Sequence, residues 1–267
     1  MRILACNDDG IYAEGLWALV AAAREVGEVI VVAPDREQSA VGTSVTLHHP
    51  LRMKQVKPLI SGIETYSVEG TPGDCVILGL KMLARDKVDL VISGINEGMN
   101  LGNDVFISGT VGAALQGYFY EIPAIAISTA LHNGRVRFDT AAMVGGMLAR
   151  KVKEKALHPR SLLNVNVPHL SPEEIEGIEL TRPGRRSYRD EIQKGNDGKR
   201  DYYWIVRGDP VWEEKEGTDI TAVRKKKISI TPLPGNLPGS DRVSLLKNLC
   251  RSLYEDIQPR SNPSCSP

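Results

Sequence analysis

The sequence lacks an excess of charge of either sign, because 33 Lys and Arg residues balance 33 Asp and Glu residues. Proteins that bind long nucleic acids neutralise many phosphates and usually carry a basic excess. We therefore expect no long nucleic acid among the partners. A small phosphate compound in a local site remains open.

Long hydrophobic runs are also missing. No apolar run reaches about 18 residues, the length that a helix needs to cross a bilayer. The N-terminal residues MRILACNDDG enter a strand pattern directly and lack the apolar core of a signal peptide. These features predict a cytoplasmic protein that does not bind membranes.

Cysteine and histidine are few and show no functional spacing. The four cysteines contain no C-x-x-C pair, so we expect neither a disulfide framework nor a zinc site. The five histidines show no metal-ligand spacing. Without a Ser–His or Cys–His arrangement, a nucleophilic triad is unsupported.

Apolar runs and helical spacing alternate through the first 168 residues. Strands are predicted at Arg2–Asn7, Glu28–Ala33, Thr43–Leu51, Ile63–Val68, Asp89–Ile92, Pro123–Ser128 and Leu162–Val167. Helices are predicted at Gly15–Val26, Asp74–Ala84, Thr110–Tyr120 and Phe138–Ala156. This alternation predicts an α/β fold with a Rossmann-like, mostly parallel sheet and helices on both faces.

The pattern changes after Pro168, where charged and glycine-containing segments separate short β-like runs. These runs predict an antiparallel appendage at Gly177–Thr181, Tyr202–Val206 and Lys227–Thr231. An amphipathic helix follows at Asp241–Ile257. We divide the chain into a core at 1–168, an appendage with the terminal helix at 169–257, and a disordered Pro/Ser-rich tail at 258–267.

Two basic-aromatic segments lie in the predicted appendage, at Arg182–Arg189 and Tyr202–Trp204. Their side chains could contact a nucleobase. The alternative, at least as well supported, is an oligomer arm or a solvated hairpin.

Four oxygen-bearing side chains follow predicted strands: Asp8 and Asp9, then Ser39, then Asn96. Ligands of open α/β sheets bind at the carboxyl ends of the strands. Oxygen-only sites suit Mg²⁺, Mn²⁺ or Ca²⁺ rather than zinc, and a divalent cation relieves the repulsion between neighbouring carboxylates. The alternative is that Asp-Asp-Gly forms only a turn.

A glycine-rich segment, Ser93–Gly117, connects a predicted buried strand to a helix that opens at Ser108-Gly109-Thr110. Glycines let backbone amides approach an anion, and a helix N-terminus favours phosphate. Thr110 could instead be only an N-cap, and the glycines could reflect tight turns alone.

Several motifs together resemble the SurE family of stationary-phase survival proteins, whose members are 5′/3′-nucleotidases. They are N-D-D-G at Asn7–Gly10, A-P-D-R-E-Q-S-A at Ala33–Ala40, E-G-T-P-G-D-C at Glu69–Cys75, and S-G-I-N-E-G-x-N-L-G-N-D through S-G-T-V-G-A-A at Ser93–Ala114. The motifs occur in order over roughly the first 130 residues, which is far more specific than any one of them.

The resemblance implies a Rossmann-like core and the dephosphorylation of nucleoside monophosphates. It implies one divalent metal ion per subunit, Mg²⁺ or Mn²⁺, on Asp8, Asp9, Ser39 and Asn96. It places Asn100 and Ser108, Gly109 and Thr110 at the phosphate. It also implies a homodimer or homotetramer in which the C-terminal segments are exchanged or packed between subunits.

Our hypothesis from the sequence is metal-assisted hydrolysis, in which the cation polarises a phosphoryl oxygen and activates a water. Asp8 or Asp9 could accept the proton of that water. One rival is an aspartyl-phosphate phosphatase or a receiver-like domain, which use an Asp nucleophile, but the D-x-D spacing of haloacid-dehalogenase-type enzymes is absent. Another is a dehydrogenase, but no G-x-G-x-x-G follows the first strand. A third is a non-catalytic nucleotide or metal sensor, which would show no turnover.

Overall fold

The computed structural model describes residues 1–83, 87–233 and 240–258. Its described strands are β1 (Arg2–Cys6), β2 (Glu28–Pro34), β3 (Met53–Gln55), β4 (Glu64–Val68), β5 (Leu90–Glu97), β6 (Ala124–Thr129), β7 (Leu131–His132), β8 (Arg135–Val136), β9 (Leu162–Val167), β10 (Gly177–Leu180), β11 (Arg186–Asn196), β12 (Asp201–Trp212) and β13 (Lys227–Leu233). The described α-helices are α1 (Glu14–Ala23), α2 (Pro72–Leu78), α3 (Gly109–Phe119), α4 (Asp139–Lys153), α5 (Asp219–Arg224) and α6 (Ser240–Ile257).

Nine of these strands form one sheet in the order β10-β13-β9-β6-β5-β1-β2-β4-β3. Six neighbouring pairs of strands are parallel: β4–β2, β2–β1, β1–β5, β5–β6, β6–β9 and β10–β13. Two pairs, β3 with β4 and β9 with β13, are antiparallel. The prediction of a mostly parallel sheet is therefore confirmed.

Both faces of the sheet are covered by apolar packing, as the buried character of β1 requires. Ile3 and Ala5 of β1 belong to a core cluster that includes residues of α1, α4 and α6. Leu4 and Cys6, which alternate with them, belong to a second cluster with residues of α2 and α3. Successive strand residues point to opposite faces, so a fully apolar strand needs helices on both sides.

Glycines allow two helices to pack closely. A Cβ on Gly117 of α3 would lie 2.7 Å from side-chain atoms of Val91, and a Cβ on Gly145 of α4 would lie 2.4 Å from Cδ1 of Leu19. The glycine in α3 thus lets this helix contact the sheet directly.

The structure corrects the prediction of a strand at Thr43–Leu51, where it has no strand. The backbone N–H of Thr46 donates to Oδ1 of Asp74 at 2.8 Å, so a carboxylate and not a neighbouring strand satisfies it. Leu47 is 80% exposed. The alternating apolar residues of this segment therefore do not pack against the core. The short strand in this part of the chain is β3, which begins at Met53.

The structure also corrects the reading of Gly177–Thr181 and Lys227–Thr231 as part of an antiparallel appendage. Both runs are strands, but β13 pairs antiparallel with β9 and parallel with β10, so the two strands extend the main sheet. Ile228 and Ile230 are fully buried there. Without β13 the edge of β9 would expose unpaired backbone groups.

An antiparallel hairpin of β11 and β12 stands apart from the main sheet. It contains the predicted strand Tyr202–Val206, so that part of the appendage prediction is confirmed. The division of the chain at residue 168 stays a prediction.

The helix after β4 is shorter than the sequence predicts. Asp74–Ala84 was predicted as one helix, but the structure has α2 followed by a π-helical turn at Gly79–Leu83, and Ala84 lies outside the described residues. Of the predicted tail, 259–267 lie outside them as well. None of the described helices is both long and apolar enough to cross a membrane.

Candidate active site

A cleft of about 720 Å³ opens at the carboxyl ends of the central strands. It brings together six of the residues predicted from sequence, namely Asp8, Asp9, Ser39, Asn96, Asn100 and Ser108. These residues come from the ends of β1 and β5, from the loop after β2, and from the segment between β5 and α3. Gly109 and Thr110 do not line the cleft. The cleft therefore lies at the carboxyl edge of the sheet, where the sequence predicts a ligand site.

Asp8 and Asp9 form an acid pair of neighbouring carboxyl groups that are largely buried from solvent. Burial raises the pKa of Asp8 above its usual range, and hydrogen bonds from the side chain and backbone of Thr110 oppose that rise. Burial, followed by the negative charges of Asp8 and Glu97, raises the pKa of Asp9 to about 7. Oδ2 of Asp9 is buried and has no hydrogen-bond partner among the residues that the structure describes. Such an arrangement is costly unless a cation neutralises it.

Ser39 and Asn96 present further oxygens to the cleft. The hydroxyl of Ser39 donates to Oε1 of Glu37 at 2.6 Å, so its proton points toward that carboxylate. Nδ2 of Asn96 donates to the carbonyl of Gly98 at 2.6 Å, which leaves the amide oxygen as an acceptor. Both side chains can therefore offer a lone pair to a cation.

These four side chains fit a hard divalent cation, because they can all donate oxygen and one buried oxygen, Oδ2 of Asp9, lacks a partner within the described part of the chain. Within residues 1–83, 87–233 and 240–258, no group of three or more His, Cys, Asp or Glu side chains is arranged to hold a metal. A cation on the two acids could complete its coordination with the hydroxyl of Ser39 and the amide oxygen of Asn96.

The N-terminus of α3 faces Asp8. The hydroxyl of Thr110 donates to Oδ1 of Asp8 at 2.5 Å, and Thr110 is fully buried. Ser108 is the N-cap, since its hydroxyl oxygen accepts the N–H of Val111 at 3.1 Å. The capping role considered for Thr110 therefore belongs to Ser108.

Gly109 fits between the helix start and the acid pair only because it has no side chain. A Cβ at this position would lie 2.8 Å from Cβ of Asp8 and 2.9 Å from its Oδ2. The glycine thus permits α3 to begin directly against Asp8.

Asn100 is held by three polar side chains from neighbouring strands. Its backbone N–H donates to Oδ1 of Asn166 at 2.8 Å, and its carbonyl accepts from Nδ2 of Asn164 and of Asn166 at 2.8 and 3.1 Å. Its own Nδ2 donates to Oγ of Ser128 at 2.9 Å. Fully buried asparagines on β9 therefore fix the peptide of Asn100 at the cleft.

The prediction from sequence missed four polar residues that line the cleft: Glu37, Glu97, Asp104 and Tyr188. Tyr188 comes from β11, and its hydroxyl donates to Oδ2 of Asp104 at 2.7 Å. The basic-aromatic segment Arg182–Arg189 contained the only signal for Tyr188. Glu37 and Glu97 stand one or two residues from predicted ligands, but nothing in the sequence alone directs their side chains.

The cleft is strongly acidic. Five carboxylates line it, and none of the described residues that line it is Lys or Arg. A phosphate group entering this cleft would be repelled unless a cation were present.

The fold and the cleft together define a Rossmann-like α/β protein with an acidic, oxygen-donor site at the carboxyl edge of its sheet. A family model described as "Survival protein SurE" matches residues 3–190. The chain belongs to the SurE family.

Relatives in other organisms are similar over most of the chain. A protein of Dehalococcoides mccartyi named 5′-nucleotidase SurE is 50% identical over 234 residues, covering 87% of this chain and 88% of the relative. A protein of the same name from Geobacter sulfurreducens is 46% identical over 249 residues, covering 93% of each. A crystal structure of the SurE protein from Aquifex aeolicus aligns with a TM-score of 0.74 and 40% identity, covering 93% of this chain and 99% of that one.

Proposed function

We propose that the protein is a metal-dependent phosphomonoesterase that hydrolyses nucleoside 5′- and 3′-monophosphates to nucleoside and phosphate. The observation that carries the proposal is the acid pair: Asp8 and Asp9 have raised pKa values, and one buried carboxylate oxygen has no partner, in a cleft without a lysine or arginine among its described lining residues. The names of the similar proteins support the nucleotide substrate and the 5′ activity. The 3′ activity follows only from the resemblance.

Asp8, Asp9, Ser39 and Asn96 would hold one Mg²⁺ or Mn²⁺ ion per subunit. When bound, such an ion supplies positive charge for a phosphoryl oxygen and acidity for a water molecule. Glu37 orients the hydroxyl of Ser39, and Thr110 orients Asp8, so these two side chains would already be oriented when an ion binds. Pre-oriented ligands lose less conformational freedom on binding.

The substrate phosphate would lie against Asn100 and Ser108, at the start of α3. Asn100 is suited to this role because its peptide is fixed by Asn164 and Asn166. The resemblance also places Gly109 at the phosphate, but its α-carbon faces Asp8, so we propose that it acts by letting α3 begin directly against that ligand. Thr110 would act through Asp8, since its hydroxyl is already engaged there.

Asp8 and Asp9 are the proposed catalytic carboxylates, one of which accepts the proton of the attacking water. Because the cleft is acidic, turnover should depend strictly on a divalent cation.

We propose that the protein forms a homodimer or homotetramer and that it is located in the cytoplasm. The hairpin supports an oligomeric role, because Tyr203, Trp204 and Ile205 of β12 are 61%, 66% and 74% exposed. A row of exposed large apolar side chains on one hairpin is typical of a surface that is covered by another chain.

A phosphate-release assay over a panel of nucleoside monophosphates, with Mg²⁺, Mn²⁺ or EDTA, tests the proposal. We expect release with a cation and none with EDTA, and loss of release in Asp8→Asn with the fold retained. A folded protein that binds nucleotide but releases no phosphate under any cation would support a non-catalytic sensor instead. A phosphoenzyme stable to denaturation would support an aspartyl-phosphate mechanism.

A further inference from the structure

Asp219 is a buried carboxylate that the proposed reaction does not use. It is the first residue of α5 and is fully buried. Its Oδ2 accepts the N–H of Gly102 at 2.8 Å, and its Oδ1 accepts the N–H groups of Gly184 and Ile220, each at 2.8 Å. A carboxylate is expensive to bury, and here three backbone donors satisfy it.

The two segments that Asp219 joins are two walls of the cleft. Gly102 opens the 3₁₀ helix Gly102–Phe106, two residues after Asn100, and that helix carries Asp104. Gly184 lies two residues before β11, which brings Tyr188 to the cleft. The hydrogen bond between Tyr188 and Asp104 joins the same two segments inside the cleft.

The approach of the Gly184 segment to α5 is close and specific. A Cβ on Gly184 would lie 2.7 Å from Cδ1 of Ile220 and 3.2 Å from Oδ1 of Asp219. The backbone N–H of Asp219 donates to the carbonyl of Arg182 at 3.0 Å. The start of the hairpin is therefore fixed to α5 by two hydrogen bonds, one to the backbone N–H of Asp219 and one to its carboxylate.

We propose that Asp219 is a positioning residue for the substrate: by binding Gly102 and Gly184 together, it sets the distance between the Asn100 wall and the Tyr188 wall of the cleft. This inference rests on the proposed function. Asp219 does not line the cleft, so it acts through these two segments and not on the substrate itself. Its loss should weaken substrate binding and leave the metal ligands unchanged.

Asp219→Asn is the direct test, because the amide keeps the shape but offers only one acceptor oxygen. If that oxygen accepts from Gly184 and Ile220, the NH₂ group faces the N–H of Gly102, and the bond between the walls is lost. We expect the KM for a nucleoside monophosphate to rise about tenfold, the scale of one lost hydrogen bond to a charged group. We expect kcat to change less than about twofold and Mn²⁺ affinity by calorimetry to be unchanged.

Thr218→Ala is the matched control. Thr218 caps the same helix, since its hydroxyl accepts from the N–H of Thr221 and donates to the carbonyl of Lys215, whereas the bonds to Gly102 and Gly184 come from Asp219. This variant should lower thermal stability slightly and keep the wild-type KM. An equal rise of KM in both variants would overturn the inference, because weakening α5 alone would then suffice.

A double-variant cycle with Tyr188→Phe separates positioning from general loosening. Tyr188→Phe removes only the hydroxyl that reaches Asp104. If Asp219 acts through the same pair of walls, the double variant should raise KM by clearly less than the product of the two single effects. A KM equal to that product would contradict the inference. Should Asp219→Asn fail to fold, Gly184→Ala answers the same question, because its Cβ displaces that N–H from Asp219; an unchanged KM would overturn the proposal.

The wild type separates this inference from the proposed function. Turnover of adenosine 5′-monophosphate by the wild type tests the function alone, and an active wild type with an unchanged KM in Asp219→Asn overturns only the role of Asp219. If the wild type shows no turnover, the proposed function fails, and the Kd of adenosine 5′-monophosphate by calorimetry replaces KM in the same comparison.

Discussion

The hydroxyl of Thr110 donates a 2.5 Å hydrogen bond to Oδ1 of Asp8, across 102 residues of sequence. The first turn of α3 is thereby joined to the acid pair that lines the cleft. The start of α3 is therefore bonded to the end of β1, and this hydrogen bond favours the ionised form of Asp8.

Thr110→Val should weaken cation binding. Valine has the shape of threonine but lacks the donor that favours ionised Asp8, so the pKa of Asp8 should rise further. We expect Mn²⁺ affinity, measured by calorimetry, to fall about tenfold, in line with one lost hydrogen bond to a charged group. Thr110→Ser keeps the hydroxyl and should bind Mn²⁺ within about threefold of the wild type. Equal affinities in both variants would contradict this role of Thr110.

Asp9→Asn should stabilise the cation-free protein, and more at pH 8 than at pH 5. The pKa of Asp9 is raised from 3.8 to about 7 in the folded chain, so the folded state binds this proton more tightly than the unfolded state. The free energy of unfolding therefore falls as the pH rises between these two values. Between pH 5 and pH 8 the wild type should lose on the order of 3 kcal/mol that the variant keeps.

Urea unfolding in EDTA at the two pH values measures this difference, since the titrations of other groups largely cancel between the two proteins. Saturating Mn²⁺ should reverse the order of stability, because the variant lacks a ligand. A gain for Asp9→Asn that is the same at both pH values would refute the assigned cause.

Gly109→Ala should disturb the acid pair directly. Its Cβ would lie 2.8 Å from Cβ of Asp8, so α3 or the end of β1 must shift. We expect a loss of about 1–3 kcal/mol in the free energy of unfolding and a fall in cation affinity. Gly146→Ala in α4 is the matched helical control, because its Cβ would meet Ala22 at 3.3 Å, and it should bind the cation normally. Normal cation binding by Gly109→Ala would show that the contact with Asp8 is unimportant.

Asn166→Asp should impair substrate binding without altering side-chain size. The carboxylate can still accept the N–H of Asn100, but it places a second acceptor against the carbonyl of Asn100 where Nδ2 donated before. We expect kcat/KM to fall at least about tenfold, because a buried acceptor pair replaces a hydrogen bond. Asn133→Asp, at an exposed turn, is the control and should keep wild-type kcat/KM. Activity equal to wild type in Asn166→Asp would remove Asn100 from the proposed site.

The sequence predicted those features that depend on local pattern and on the general geometry of parallel sheets. Asp8 and Asp9 follow β1, and Asn96 lies near the carboxyl end of β5. The carboxyl ends of neighbouring parallel strands meet at one edge, so their convergence could be predicted. The helices of the core could be predicted from apolar spacing, with ends that differ by a few residues.

Features that depend on tertiary contacts could not be predicted. β10 and β13 were recognisable as strands, but nothing local specifies that β13 pairs with β9. Tyr188 reaches the cleft because the hairpin base is fixed by Asp219, a contact 35 residues away from Gly184 in sequence. Thr110 was placed correctly at a helix start, yet only the packing of α3 against β1 directs its hydroxyl to Asp8. The bound metal, the oligomeric state and the cellular location stay predictions.

The central claim is that one divalent cation binds to Asp8, Asp9, Ser39 and Asn96. An anomalous difference map from a crystal soaked in Mn²⁺ tests it most directly. We predict a single strong peak per subunit within bonding distance of both Asp8 and Asp9, at about 2.0–2.3 Å from their oxygens. A map with no peak at this edge of the sheet, or with a peak bound only by other residues, would contradict the account.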